Sequence, residues 1–193
     1  MGVGMGGMKN ERLWFAAAAL WGFAEATFFF IVPDLLLTAA VLLFGFSRAF
    51  RFATIAACGA AVGALPMVIW GAADPDAARA FILSVPLIGE DLLLRVHGEL
   101  EGFWPFDLTV GAVTGAPFKI YAVEAGAGGV NPFLFAMVGY VARLARFTLA
   151  IGLTALGARL AARFGLQRLA PYGLALAWAV IYVFYVFKRL SVS

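Results

Sequence analysis

Apolar runs alternate with short polar joints along the chain, and run length sorts the apolar segments into two kinds. A helix needs about 20 apolar residues to cross ~30 Å of hydrocarbon, whereas runs of about 10–14 suit re-entrant segments. By that rule residues 52–73, 133–157 and 171–187 are predicted to span, the last short but flanked by Tyr and Lys. Residues 35–46, 106–116 and 118–128 are too short. Pro33 separates residues 13–32 from the first of these, and Pro117 divides the other two. Proline lacks the N–H that a helix interior needs and clashes with the preceding turn. The pattern therefore predicts two re-entrant helical hairpins, 13–46 and 106–128, with Pro33 and Pro117 at their tips.

The hairpins read as copies of each other. At an offset of 84, Pro33 falls on Pro117 and Gly45 on Gly129, and each hairpin precedes a spanning segment. A pair of proline-interrupted, undersized hydrophobic segments at corresponding positions points to a transporter-like site. Between them, in residues 74–105, Phe81, Ile82, Val85, Ile88, Leu92, Leu93 and Val96 recur at helical spacing. This predicts one amphipathic helix lying on the membrane surface. The glycine-rich residues 1–12 are predicted to be disordered, with Met8 an alternative start, and residues 188–193 form a tail. A signal peptide over 9–26 is rejected, because the apolar run continues through residues 28–31 with no polar cleavage region.

Composition turns these segments into a class. The chain is 64% hydrophobic and 13% charged, against roughly 45–50% and about 25% in soluble domains. A soluble globule of 193 residues has too much surface to hide that much apolar area. The expected fold is an all-α integral membrane protein with the two hairpins oppositely oriented in an inverted repeat. Lys9, Arg12, Arg48, Arg51, Arg159, Arg163 and Arg168 mark cytoplasmic ends by the positive-inside rule. Residues 74–107 place seven carboxylates against Arg79 and Arg95, so the connector belongs outside. Lys188 and Arg189 then fall outside too, where snorkelling at a helix end accommodates them. Arginine outnumbers lysine 11 to 3 amid abundant Ala and Gly, which fits a GC-rich bacterial genome; with the apolar segments, a multi-pass protein of the bacterial inner membrane is expected. The net charge of +3 is not gathered into a patch, so no nucleic acid is expected. A single cysteine and a single histidine exclude a disulfide and any metal site needing two imidazoles. No metal and no cofactor are expected.

The charges inside the apolar segments carry the chemistry. They are Glu25, Asp34, Lys119, Glu124, Arg143 and Arg146. Arg143 and Arg146 lie mid-segment, three residues apart and so on one helix face. Each would cost roughly 3 kcal/mol at the bilayer centre, so they must face protein, water or a charged ligand. One reading is a buried salt-bridge network that fixes helix register and binds nothing. The other is a polar chamber at mid-membrane. Glu25 and Asp34 flank the first break and Lys119 stands two residues after Pro117, and broken helices leave backbone groups that only a cavity tolerates. Glu124 reads either as a charge partner or as a snorkelling residue. His97 reads as solvated, Cys58 beside Gly59 and Gly63 as helix packing, Trp14, Trp70 and Trp104 as an interfacial belt, and Trp21 as hairpin packing.

Three motifs add a resemblance. Residues 22–37, GFAEATFFFIVPDLLL, place a glutamate before a proline turn and an acid. Residues 115–126, GAPFKIYAVEAG, carry a basic residue ahead of Ala-Gly, and residues 143–147, RLARF, form an arginine pair. In order and spacing they resemble the DedA (VTT-domain, SNARE-associated) membrane protein superfamily, in its short YqaA-like branch. Asp34 directly follows Pro33 where a glycine is common, and Lys119 stands alone where many members carry two arginines. The resemblance implies lipid transport: movement of polyprenyl phosphate or phospholipid headgroups between leaflets, with proton coupling. It implies proton-binding or gating roles for Glu25 and Asp34. Lys119, Arg143 and Arg146 would attract the anionic headgroup, the arginines gripping phosphate bidentately. A proton- or ion-coupled carrier of small solutes and a structural membrane protein remain alternatives. An enzyme is not expected: Ser47, Ser84, Ser191 and Ser193 lie outside the spanning cores, and Asp34 lacks a second aspartate at depth.

Overall fold

The computed structural model describes residues 5–100 and 102–190, and among them the chain is helical throughout with no strand. Residues 1–4 of the predicted disordered start, Glu101 of the acidic connector and residues 191–193 of the tail lie outside the described residues. In chain order the helices are α1 (Met5–Thr27), α2 (Asp34–Phe44), α3 (Phe46–Ala73), α4 (Pro75–Ser84) and α5 (Glu90–Leu100). Then follow α6 (Trp104–Thr114), α7 (Phe118–Ala127), α8 (Pro132–Arg163), a 3-10 turn (Gln167–Leu169) and α9 (Ala170–Leu190). Two of these, α3 and α8, are long and apolar enough to cross a membrane. The third expected span, 171–187, falls inside α9.

Local chemistry sets the boundaries. Pro33 and Pro117 immediately precede α2 and α7, so both breaks fall where proline stops a helix from running through. Gly45 and Gly129, the other matched pair, both adopt positive φ, +80° and +75°, in the turns leading to α3 and α8. A side chain would strain either backbone. Asn131 caps α8, its Oδ1 accepting from Phe133 N at 3.0 Å and Leu134 N at 3.1 Å, with Pro132 in the first turn. Asp74 caps α4 in the same way, accepting from Ala77 N at 3.1 Å.

Two expectations are corrected. Helix α1 starts at Met5, so residues 5–12 are helical and not disordered; from Asn10 on, good helix formers continue into the apolar run without a breaker. The connector is two helices and not one. Pro86 forbids continuation and holds Val85 extended, at φ −74° and ψ 130°. The apolar faces of α4 and α5, including Ile82, Leu92 and Val96, are buried in the protein core with Tyr121 and Val123 of α7. They cover the second hairpin instead of resting on lipid.

Helix α3 is the hub, packing against α1, α2, α7 and α8. Small residues set its closest approaches. A Cβ added at Gly22 would lie 2.0 Å from Ala56 O, and one at Gly126 would lie 2.1 Å from Val68 O. Close approach of this kind lets dispersion between backbones replace side-chain interdigitation. Gly59 and Gly63, one turn apart, do pack against α1, but Cys58 is exposed, because a single-residue step of about 100° turns it off that face.

Candidate functional site

Four of the helices that meet α3 bring five of the six charges singled out in the apolar segments to one place. Arg143 of α8 donates from Nη2 to Glu25 Oε2 of α1, and both side chains are buried. Arg146, one turn further along α8, donates from Nε to Asp34 Oδ1 at 3.3 Å and from Nη1 to Ala112 O of α6 at 2.6 Å. Lys119 of α7 is 1% exposed and donates from Nζ to Phe29 O at 2.8 Å. That bond joins the two breaks directly, since Phe29 lies in the 28–33 break and Lys119 two residues past Pro117. Trp21 Nε1 donates to Ile31 O at 2.9 Å and holds the first break from inside, the packing role its position suggested.

A cavity of about 130 Å³ opens among these groups. Glu25, Lys119, Arg143, Arg146 and Pro117 line it; Asp34 and Pro33 do not, Asp34 standing behind Arg146 as its counter-ion. The arginine pair therefore faces one chamber, as three-residue helical spacing requires. The formal balance of the cluster is three cations against two carboxylates. Among the described residues Lys119 has no carboxylate within 4 Å, and its ammonium rests on a carbonyl. Arg143 is held flat by aromatic faces, 4.7 Å from the Phe118 ring centroid and 5.8 Å from that of Phe147. Its Nε is buried without a hydrogen-bond partner. Cation–π contact fixes the plane of the guanidinium while leaving its edge free to donate. A chamber of this size holds several waters or one small oxyanion.

Two walls of the chamber had no signal in the charge pattern. Helix α9 contributes Trp178, Ile181 and Tyr182. The Tyr182 hydroxyl accepts from Val32 N at 3.1 Å, and Trp178 Nε1 donates to Thr38 Oγ1 at 2.9 Å. The α4–α5 turn contributes Pro86, Leu87 and Ile88, with Leu87 at φ +69°. Left-handed backbone at a non-glycine residue costs roughly 1–2 kcal/mol. Aromatic residues in a C-terminal apolar run look like any lipid-facing helix, so only the three-dimensional contact reveals them.

Glu124 lies elsewhere, at the far end of α7. Its carboxylate accepts from Arg79 Nε at 2.7 Å and Nη2 at 2.8 Å, and pairs with His97 Nδ1 at 2.7 Å. The partner reading of Glu124 holds. His97 is corrected: it is half-exposed but bonded, because α5 packs across α7 and brings the ring to the buried carboxylate. The bidentate hydrogen bond to Glu124 holds the Arg79 guanidinium above its ordinary range. Nearby, the Tyr121 hydroxyl donates to Glu99 Oε2, a second tie between α7 and its cover. This group is a clamp on the second hairpin and is separate from the chamber. No family model, no curated protein and no solved structure matches the chain.

Proposed function

We propose that the protein sits in a bacterial inner membrane and moves anionic lipid headgroups between leaflets, coupled to protons, through the chamber where its two hairpin breaks meet. In this reading the hairpins are re-entrant and inverted relative to one another. The observation that carries it is Lys119: a buried cation without a carboxylate partner, lining a cavity with two arginines. A closed salt-bridge scaffold would balance its charges, whereas an excess cation beside an open cavity suits an anion. The motif resemblance supplies the lipid. Support for insertion comes from the apolar length of α3 and α8 and from Leu20, Met137, Val141, Leu153 and Phe184, all exposed where water would penalise them.

Coupling follows from competition. Arg143 and Arg146 are engaged by Glu25 and Asp34, so an arriving phosphate must displace a carboxylate. A proton on Glu25 removes that competitor and frees the guanidinium for bidentate contact. Proton and anion therefore occupy the chamber together and leave together. The test is liposome translocation of a fluorescent lipid across a pH series, with lipid binding measured on the same variants. Glu25→Gln should retain binding and lose the pH dependence of transport, while Arg143→Lys should weaken binding itself. Rates that neither substitution alters would sink transport and leave the buried network as scaffold. A carrier of small solutes predicts instead that soluble phosphate or carboxylate is moved while lipid is not.

A further inference from the structure

A second cavity, of about 650 Å³, lies between α2, α8 and α9 and abuts the charged chamber. Trp178 and Ile181 line both, so the two spaces lie on either side of those side chains. Their chemistries are opposite. Apart from Thr38 and Thr154, the second cavity is lined by apolar side chains and glycine, and both threonine hydroxyls are already used. Thr154 Oγ1 donates to Ala150 O at 2.9 Å; Thr38 Oγ1 donates to Asp34 O at 2.7 Å and accepts from Trp178. Its lining is almost wholly apolar, and every side-chain donor in it is already engaged within the protein. A groove lined for hydrocarbon, set against a chamber with an excess cation, has the polarity of one amphiphile laid end to end.

We infer that the groove between α2, α8 and α9 holds the hydrocarbon chain of the same lipid whose phosphate occupies the chamber, with Trp178 at the junction of head and chain. The occupant is a phosphate-bearing lipid with a small headgroup, because the chamber is small and the apolar groove lies against it across Trp178 and Ile181. This rests on the headgroup reading above and adds where the chain goes. The groove also explains α9: the Trp178–Thr38 and Tyr182–Val32 bonds hold that helix across the first hairpin at the height where chain and head would join.

Glycines make the inference testable without touching a charge. Gly157 and Gly173 line the groove, and a Cβ added at either meets nothing within 4 Å. A side chain can therefore start at either position without strain, and phenylalanine at both is expected to fill the groove. Detergent-purified full-length protein is titrated with dodecyl phosphate and, separately, with inorganic phosphate. The Gly157→Phe/Gly173→Phe variant should bind dodecyl phosphate at least tenfold more weakly and inorganic phosphate as wild type does. The retained phosphate binding also shows that the variant is folded. Gly152→Phe, on the same helix, outside the groove and equally free of neighbours, should match wild type for both ligands. If the double variant binds dodecyl phosphate like wild type, the groove belongs to bulk lipid and the inference is overturned while the chamber stands. If wild type binds neither ligand, the chamber reading fails and takes the inference with it.

Discussion

The first hairpin runs a 23-residue helix into a six-residue break and an 11-residue return, whereas the second places 11 and 10 residues around a break of three. Both returns are preceded by proline and both lead out through a positive-φ glycine. Their surroundings differ. Every residue of α7 from Phe118 to Gly126 is buried, while α2 leaves Leu43 and other side chains outward. The second hairpin is clamped by α4 and α5 through ion pairs at Arg79 and His97; the first is covered by α9 through two hydrogen bonds. Matched punctuation thus produces a half-buried arm in one case and a wholly buried arm in the other. The fully buried arm carries the cation without a carboxylate partner, where the protein scaffold can hold a charge that lipid would reject. The half-buried arm carries Asp34, and its cover is tied to the first hairpin by two hydrogen bonds rather than by ion pairs.

The sharpest way to break this comparison is at Arg143, which touches both hairpins through Glu25 and Phe118. Arg143→Ala strands a buried carboxylate and should cost roughly 3–5 kcal/mol. Arg146→Ala should cost clearly less, because its side chain is 18% exposed and water can reach what remains. Thermal unfolding of both variants in detergent measures the difference. Equal losses would mean that the chamber is dry throughout, and a negligible loss at Arg143 would mean that water enters even the Glu25 end.

Backbone contact with α3 separates the hairpins next. Gly126→Ala drives a methyl to 2.1 Å from Val68 O, and Gly22→Ala to 2.0 Å from Ala56 O. The collisions are alike, but α7 has protein on all sides and cannot retreat, whereas α1 has an open face bearing Leu13 and Leu20. Overpacking costs about 1–3 kcal/mol, the upper end applying where neighbours cannot relax. Gly126→Ala should therefore lower the unfolding temperature more than Gly22→Ala. The reverse order would mean that the first hairpin is the more rigidly enclosed.

Much of this contrast was legible in the residues and part was not. The breaks at Pro33 and Pro117, the matched glycines and the convergence of Glu25, Lys119, Arg143 and Arg146 follow from local rules: proline chemistry, positive φ and helical spacing. The division of the connector was legible too, since Pro86 sits in the middle of it, but apolar spacing on both sides masked the break. Distant partners left no local trace. Nothing around His97 signals Glu124, 27 residues away, and nothing around Trp178 signals Thr38, 140 residues away. In an apolar chain a helix facing lipid and a helix buried in protein carry the same pattern, so the enclosure of α7 and the cover by α9 depend on tertiary packing.

The smallest effect tests the two covers against each other. Trp178→Phe removes the donor to Thr38 Oγ1, but that hydroxyl keeps its bond to Asp34 O at 2.7 Å, so no buried group is orphaned. A hydrogen bond lost without an unsatisfied partner costs about 0.5–1.5 kcal/mol, and the smaller ring keeps most of the apolar contact with Tyr182. His97→Ala should cost a similar amount, since Glu124 retains both bonds to Arg79. Stability alone does not distinguish the covers, but proteolysis should. Loosening α9 frees the already exposed Gln167–Leu169 turn, with its Arg168, to unfold into a protease, whereas loosening α5 leaves that turn as it was. Trp178→Phe is thus expected to speed tryptic cleavage at Arg168 and His97→Ala to leave it at the wild-type rate. Equal cleavage in both would mean that α9 is held by its length of apolar contact and that the hydrogen bonds at the first hairpin contribute nothing to its closure.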